Sequence, residues 1–249
     1  MDPPWIEPYP DVLLEALGDN PLPDGAARFD FNESLTLDFV AALQQLPPRQ
    51  RSVVTLHDVM AFPEAEVATM LGVDLGEVRR ALELARASLD SSLAGARDLP
   101  APARHSASER KIVDRFARAF EAGDVDRLLA LLTPDAKLTT PPEPEEYRGV
   151  EAIGAFLRDR CDHRAGRRYR LVPTRANTQP AFACYLEDPH TPIARANGLI
   201  VLTLEGDRIS AITRFVDNSL YQLFRLPRIL YEGTRTDVRD LPDGGAPDA

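Results

Sequence analysis

The chain has 249 residues, a net charge of −10 and a pI of about 5.0, a balance that excludes a protein coating nucleic acid over a broad basic surface. Its 44% hydrophobic content is enough for one large core or two ordinary ones. Cys161 and Cys184 share no metal or redox spacing and fit a reducing compartment, no apolar run approaches the ~20 residues of a membrane span, and the N-terminus lacks the basic and apolar regions of a signal peptide.

The opening stretch MDPPWIEPYPDVLLEALGDNPLPDG is too rich in proline for a buried bundle, and residues 1–27 read as an extended tether with one short helix at 11–17. A helical block follows over residues 28–95. Leu37, Val40, Leu43 and Leu46 form an apolar stripe ended by Pro47-Pro48, and Val53, Val54, Leu56, Val59 and Met60 form the next. Pro63 suits the first turn of a third helix, in which Val67, Met70 and Leu71 face inward. Gly72 supplies a left-handed ending, and Val73, Val78, Leu82, Ala85 and Leu89 close the core from a fourth helix. This spacing predicts a compact four-helix module over residues 31–93, with a helix-turn-helix about Gly72. His57, in TLHDVM, reads as a partly buried structural histidine.

A second proline-rich break, residues 96–107, leads to an α+β domain at 108–232, and the polar, glycine-rich residues 233–249 read as a disordered tail. Helices are predicted at 108–122, where Ile112, Phe116, Ala119 and Phe120 share a face, then after Asp124 through LLALL, and at 150–161. Four strand-like runs follow, RYRLVPTR, AFACYLED, NGLIVLTLEGDRI and ISAITRFVD, the last two joined as a hairpin through EGD. Alternation in RISAITRFVD places Ile209, Ala211, Thr213, Phe215 and Asp217 on one face, which makes Asp217 the clearest carboxylate at a strand end. His163 closes the third helix, Arg175 stands on the PTRAN strand and Tyr185 on the next. These four residues are the candidates for a catalytic or ligand-holding cluster. Three of them have a plainer alternative: Asp217-Asn218 as a turn pair, the His163 loop as a solvated segment, and Arg175 paired with an acid such as Glu187 across strands. With no nucleophile elbow, histidine pair at metal spacing or phosphate loop, no metal and no cofactor is expected.

Three stretches in the helical block, LPPRQR (46–51), EVATMLG (66–72) and ALELARASL (81–89), resemble region 4 of bacterial sigma factors of the extracytoplasmic-function group. WIEPYPD (5–11) resembles the linker between regions 2 and 4 in a subgroup that also carries a C-terminal SnoaL-like domain. PPEPEEYRGVEAIGAFL, RLVPTRANTQPAFACYL and LTLEGDRISAITRFVD resemble that domain. The resemblance implies two domains, an all-α helix-turn-helix module followed by an α+β SnoaL-like, nuclear-transport-factor-like cone with an apolar pocket. It implies RNA polymerase core and promoter DNA as partners, a small-molecule ligand for the pocket, a cytoplasmic location and no membrane. Arg79 and Arg80 would be the base or phosphate contacts, with Arg49 and Arg51 near the DNA backbone.

Two departures temper this. Region 2 would precede the linker, and with Met1 four residues before Trp5 it is expected to be absent. Over residues 28–90 there are six arginines and ten acids, a net of −4, and Glu77 and Glu83 stand on the helix that would enter the groove. Weak duplex binding is therefore expected, because neutralised phosphates supply most protein–DNA affinity. An equally ready reading has the four arginines solvated or paired with Glu77 and Glu83. The expected function is sigma-factor-like transcription regulation with a SnoaL-like sensing or regulatory domain. The alternative is a cofactor-independent enzyme (cyclase, isomerase or epoxide hydrolase) carrying a degenerate region 4, and the sequence assigns no reaction.

Overall fold

The computed structural model describes residues 6–16, 36–94, 99–143, 145–163 and 166–231. The expected tail at 233–249 and most of the tether lie outside these. The chain divides into two compact units, one holding residues 36–94, the other holding 99–231 together with 7–14.

The first unit is helical, as the apolar spacing predicts. With α1 (Asp11–Ala16) in the leading segment, the unit itself contains α2 (Leu37–Gln45), α3 (Pro48–Val54), α4 (Glu64–Leu71) and α5 (Leu75–Ala94). Thr36 caps α2 by accepting the Phe39 N–H at 3.4 Å, and Pro47-Pro48 ends that helix and opens the next. α3 runs on into a π-helical turn, Thr55–Val59. Gly72 ends α4 at φ 64°, ψ 38°, the left-handed turn read from the sequence. A Cβ built there meets nothing within 4 Å, so the glycine serves backbone conformation, not space. Phe39, Val53, Val54, Val67, Leu82 and Leu89 are among the buried core side chains. Met60 and Met70 depart from the expected inward set, being 40% and 52% exposed: α4 faces the core through Val67 and Ala68, a phase that leaves Met70 outside. His57 is structural, with Nδ1 2.7 Å from the Phe62 carbonyl oxygen. Its neighbour Asp58 is fully buried and forms a two-point ion pair with Arg86 of α5, with Nε donating to Oδ2 at 2.9 Å and Nη2 to Oδ1.

The second unit is α+β. Ser106 caps α6 (Ala107–Ala122), accepting the Glu109 N–H at 3.1 Å, and Gly123 ends it in the left-handed region. Asp124 caps α7 (Val125–Leu129), accepting the Arg127 N–H at 3.0 Å. β1 (Leu132–Thr139) and β2 (Glu146–Arg148) precede α8 (Gly149–Asp162), so the expected order of three helices and then a sheet is corrected. β3 (Tyr169–Ala176), β4 (Gln179–Glu187), β5 (Ile193–Glu205) and β6 (Arg208–Phe215) are the four strand-like runs, and α9 (Leu220–Leu223) and β7 (Ile229–Tyr231) follow. The sheet order is β2-β1-β6-β5-β4-β3, with β7 on β5. β1 pairs with β6 in parallel, so the sheet is mixed. α6 and α8 pack on one side of it, where Phe116, Ile153, Phe182, Ile200 and Ile212 belong to one core.

Residues 7–14 belong to this second unit because they are bonded to it. Tyr9 and Asn177 exchange bonds, the Tyr9 N–H to Asn177 Oδ1 at 2.8 Å and the Asn177 N–H to the Tyr9 carbonyl at 2.9 Å. Asp11, only 4% exposed, accepts the Thr178 N–H at 2.8 Å, Arg104 Nη2 at 2.9 Å and Arg175 Nε at 3.2 Å. Arg175 Nη1 also reaches Glu109 at 2.7 Å, closing a cluster of two acids and two arginines. Burial pushes the Asp11 carboxyl above its ordinary range, and the Thr178 N–H and the two guanidiniums only partly pull it back. A carboxyl raised in the folded state adds most stability in acid, and this contribution is lost as pH rises through its folded pKa. Asp11→Ala leaves two guanidiniums and a buried N–H short of a partner, which is expected to cost about 3 kcal/mol of cone stability in a denaturant titration. Asp11→Asn should remove the acid-side gain in stability, while a flat difference between it and the parent across pH would show that Asp11 does not titrate there.

Candidate functional site

The side of the sheet that carries α6 and α8 holds a cavity of about 340 Å³. Its walls include Phe116, Phe120, Leu138, Phe156, Ile200 and Ile212. Polar groups converge at one place on that wall. Arg214 Nη2 donates to Asn197 Oδ1 at 2.7 Å and to the Tyr169 hydroxyl oxygen at 3.0 Å, and the Tyr169 hydroxyl donates to Asn197 Oδ1 at 3.1 Å. The Arg214 guanidinium lies 5.5 Å from the centre of the Tyr169 ring, which also packs 5.2 Å from Phe120. Glu143 is the one carboxylate among the described lining residues, and its Oε2 accepts the Thr140 hydroxyl at 3.0 Å.

A bulge builds this triad. Across β4 and β5, Ala183 faces Leu199 and Tyr185 faces Ala196, so Asn197 and Gly198 together stand opposite Cys184. Gly198 has φ +87°, and a Cβ there would lie 2.2 Å from the Phe215 carbonyl oxygen. Its N–H donates to Asn218 Oδ1 at 3.0 Å and its carbonyl accepts the Tyr221 hydroxyl at 2.8 Å. The extra residue shifts the alternation of β5, and Asn197 and Ile200 both line the cavity.

The expected cluster is not assembled. Asp217 lies outside the cavity in an exposed turn, accepting the Ser219 N–H at 2.8 Å and its hydroxyl at 2.6 Å, bonds that hold the carboxyl below its ordinary range. The turn-pair alternative holds, and the cavity face is the opposite one, carrying Ile212 and Arg214 of β6 and Val216 just beyond it. Arg175 is in the Asp11–Glu109 cluster, not in the cavity and not on Glu187. Tyr185 points to the other side of β4, edge-on to Tyr221 at 5.3 Å, with its hydroxyl donating to the Pro227 carbonyl at 2.8 Å. Burial raises the pKa of its hydroxyl far above the ordinary range, so it is a fixed donor. His163 does line the cavity, at its open side, with 74% of its side chain exposed and Nδ1 2.7 Å from the Asp159 carbonyl oxygen. Asn197, Arg214 and Tyr169 were not among the sequence candidates. An Asn-Gly step inside an apolar strand, and an arginine two residues after Ile212, were the available signals.

On the helical unit, α5 carries Arg79 and Arg80 on an exposed surface. Arg79 Nε contacts Glu64 Oε2 at 2.8 Å, and Arg49 Nη2 contacts Glu77 Oε2 at 3.1 Å. The Arg79 bond holds the Glu64 carboxyl below its ordinary range. Arg80 is exposed and Arg51 half-buried. Pairing of the arginines with acids is thus real, although Arg79 meets Glu64 and not Glu83. Both pairs are exposed and open readily to a competing phosphate.

Residues 36–89 match the model of sigma-70 region 4, and residues 113–212 match that of the SnoaL-like domain. The chain is a sigma-70 region 4 domain followed by a SnoaL-like domain. Its curated relatives are extracytoplasmic-function sigma factors. The factor SigG of Mycobacterium tuberculosis is 38% identical over 226 residues, covering 90% of this chain and 58% of that protein. SigJ of the same species is 32% identical over 124 residues, covering 47% of this chain and 38% of that one. The chain therefore spans less than two thirds of the length of these relatives. The crystal structure of M. tuberculosis SigJ superposes with a TM-score of 0.56 at 21% identity, covering 78% of this chain and 67% of that one, which shows the shared fold. Among the described residues no helix is long and apolar enough to cross a membrane.

Proposed function

We propose that this protein regulates transcription as a sigma factor does, with the region 4 unit contacting promoter DNA alongside RNA polymerase core, and the SnoaL-like unit acting as a sensing or regulatory domain. The observation that carries this reading is the helix-turn-helix geometry about Gly72, which presents Arg79 and Arg80 from one exposed helix inside a segment matched to region 4. A cytoplasmic location follows from that role. The acids at positions 64 and 77 screen two of the four candidate arginines, which supports weak binding by this unit on its own.

In this reading Arg79 and Arg80 approach base edges or phosphates, and Arg49 and Arg51 approach the backbone. Selection from a random duplex library by the purified chain tests it. One short motif is expected, bound more weakly than about 10⁻⁸ M at physiological salt. Arg80→Ala should lower affinity and reduce the slope of log K against log salt by about one, the signature of one lost phosphate contact. Recovery of unselected sequences, or an unchanged salt slope in Arg80→Ala, would count against the DNA role of this helix.

A further inference from the structure

Arg214 is a cation on the wall of an apolar cavity, and its protein partners there are neutral. Among the described residues only Nη2 of its three guanidinium nitrogens bonds the protein, to Asn197 and Tyr169. Nε is buried without a hydrogen-bond partner. Among the described residues no carboxylate forms an ion pair with it. Removing a guanidinium from water without a counter-anion is unfavourable, and a fold that retains one at a cavity wall has an unmet demand for negative charge. The wider lining leans the same way, with Arg160, Arg167 and Arg214 against Glu143. Arg160 and Arg167 are exposed and would draw an anion inward, while Arg214 meets it against the aromatic walls.

We propose that the cavity binds a small monoanionic carboxylate with an apolar body. The carboxylate sits on Arg214, and the ring or chain packs on Phe116, Phe120, Phe156 and Ile212. One cation stands on the inner wall and Glu143 shares the cavity, so a single negative charge fits better than a dianion. Asn197 and Tyr169 are positioning residues, since they hold the guanidinium in place through Nη2. The proposal deepens the sensing role given to the SnoaL-like unit and rests on it for its biological meaning, but the binding step needs neither DNA nor polymerase. A negative ligand result would therefore leave the region 4 reading standing, and a negative DNA result would leave the cavity proposal standing.

The test is calorimetric titration of the full chain with octanoate and 2-naphthoate, each beside its uncharged primary amide. Each acid is expected to bind at least about tenfold more tightly than its amide, the size of a charge-assisted hydrogen bond. Arg214→Gln keeps an amide donor toward Asn197 and removes the charge. It should abolish the preference for acid over amide. Without ligand this variant should unfold at the same temperature as the parent or higher, since an uncompensated charge is gone. A purely structural arginine would give a lower unfolding temperature. Equal binding of acids and amides, no binding of either acid, or an acid preference that survives in Arg214→Gln would overturn the proposal. The comparison of acid with amide in the parent chain stands by itself should the variant fail to fold.

Discussion

Arg86→Ala is expected to destabilise the region 4 unit by about 3–5 kcal/mol, enough to unfold a marginal helical domain. Asp58 has no exposed surface, and Arg86 provides both of its close ionic contacts; the next basic group, His57 with its Nε2, lies 3.9 Å away. The bond to Asp58 raises the Arg86 pKa, so the guanidinium stays charged. Truncating the arginine leaves the buried carboxylate without the guanidinium that pairs with it at both oxygens. The double change Asp58→Leu/Arg86→Met should recover most of the loss, because exchanging a whole buried pair for apolar groups is far less harmful than breaking it. Circular dichroism during a urea titration reads both effects. Since the chain has two units, the helical transition must be followed separately from that of the cone. Parent-like stability of Arg86→Ala would show that the pair contributes nothing to folding.

Gly198→Ala is expected to be the corresponding break in the SnoaL-like unit, with a loss of more than about 3 kcal/mol. Two causes act together. The backbone stands at φ +87°, which an L side chain avoids, and the new methyl would lie 2.2 Å from the Phe215 carbonyl oxygen. That contact is backbone, so no side chain can rotate away to relieve it. Relief would need β5 to separate from β6 where Leu199 pairs with Phe215, and that movement carries Asn197 away from Arg214. The variant should therefore lose acid binding as well as stability. A stable Gly198→Ala chain with unchanged cavity binding would mean that the bulge does not place Asn197.

The helical unit was readable because its helices obey one rule throughout. Apolar residues recur at three and four, prolines stop and start the helices, and Gly72 takes the left-handed turn that ends α4 before α5. The π-helical turn at Thr55–Val59 could not be read this way, since it adds a residue to the period and puts a charged Asp58 inward. In the cone the strands were visible but their facing was not. β5 is buried over seven successive residues, Gly198 to Leu204, and β6 is buried or half-buried from Ile209 to Phe215. A strand covered on both sides carries no polar–apolar alternation, so assigning a face by parity becomes an even choice, and one step moves every side chain across the sheet. That step separates Asp217, in its exterior turn, from Arg214 inside. β1 was missed for a different reason. Pro134 and Asp135 interrupt the run LLTPDAKLT, and its pairing register with β6 shifts between Leu132 and Lys137. Arg175 shows the limit of local reading, because Asp11 lies 164 positions away in sequence.

Sequencing of the DNA that cross-links to the chain in its own cells, beside an Arg79→Ala/Arg80→Ala double variant, tests the transcription role most directly. Fragments recovered with the parent should cluster at promoters and share one short motif, and the double variant should lose that enrichment while keeping the parent's unfolding curve. Recovery of DNA without promoter enrichment, or the same enriched set with and without the two arginines, would contradict a promoter-contacting role for this helix.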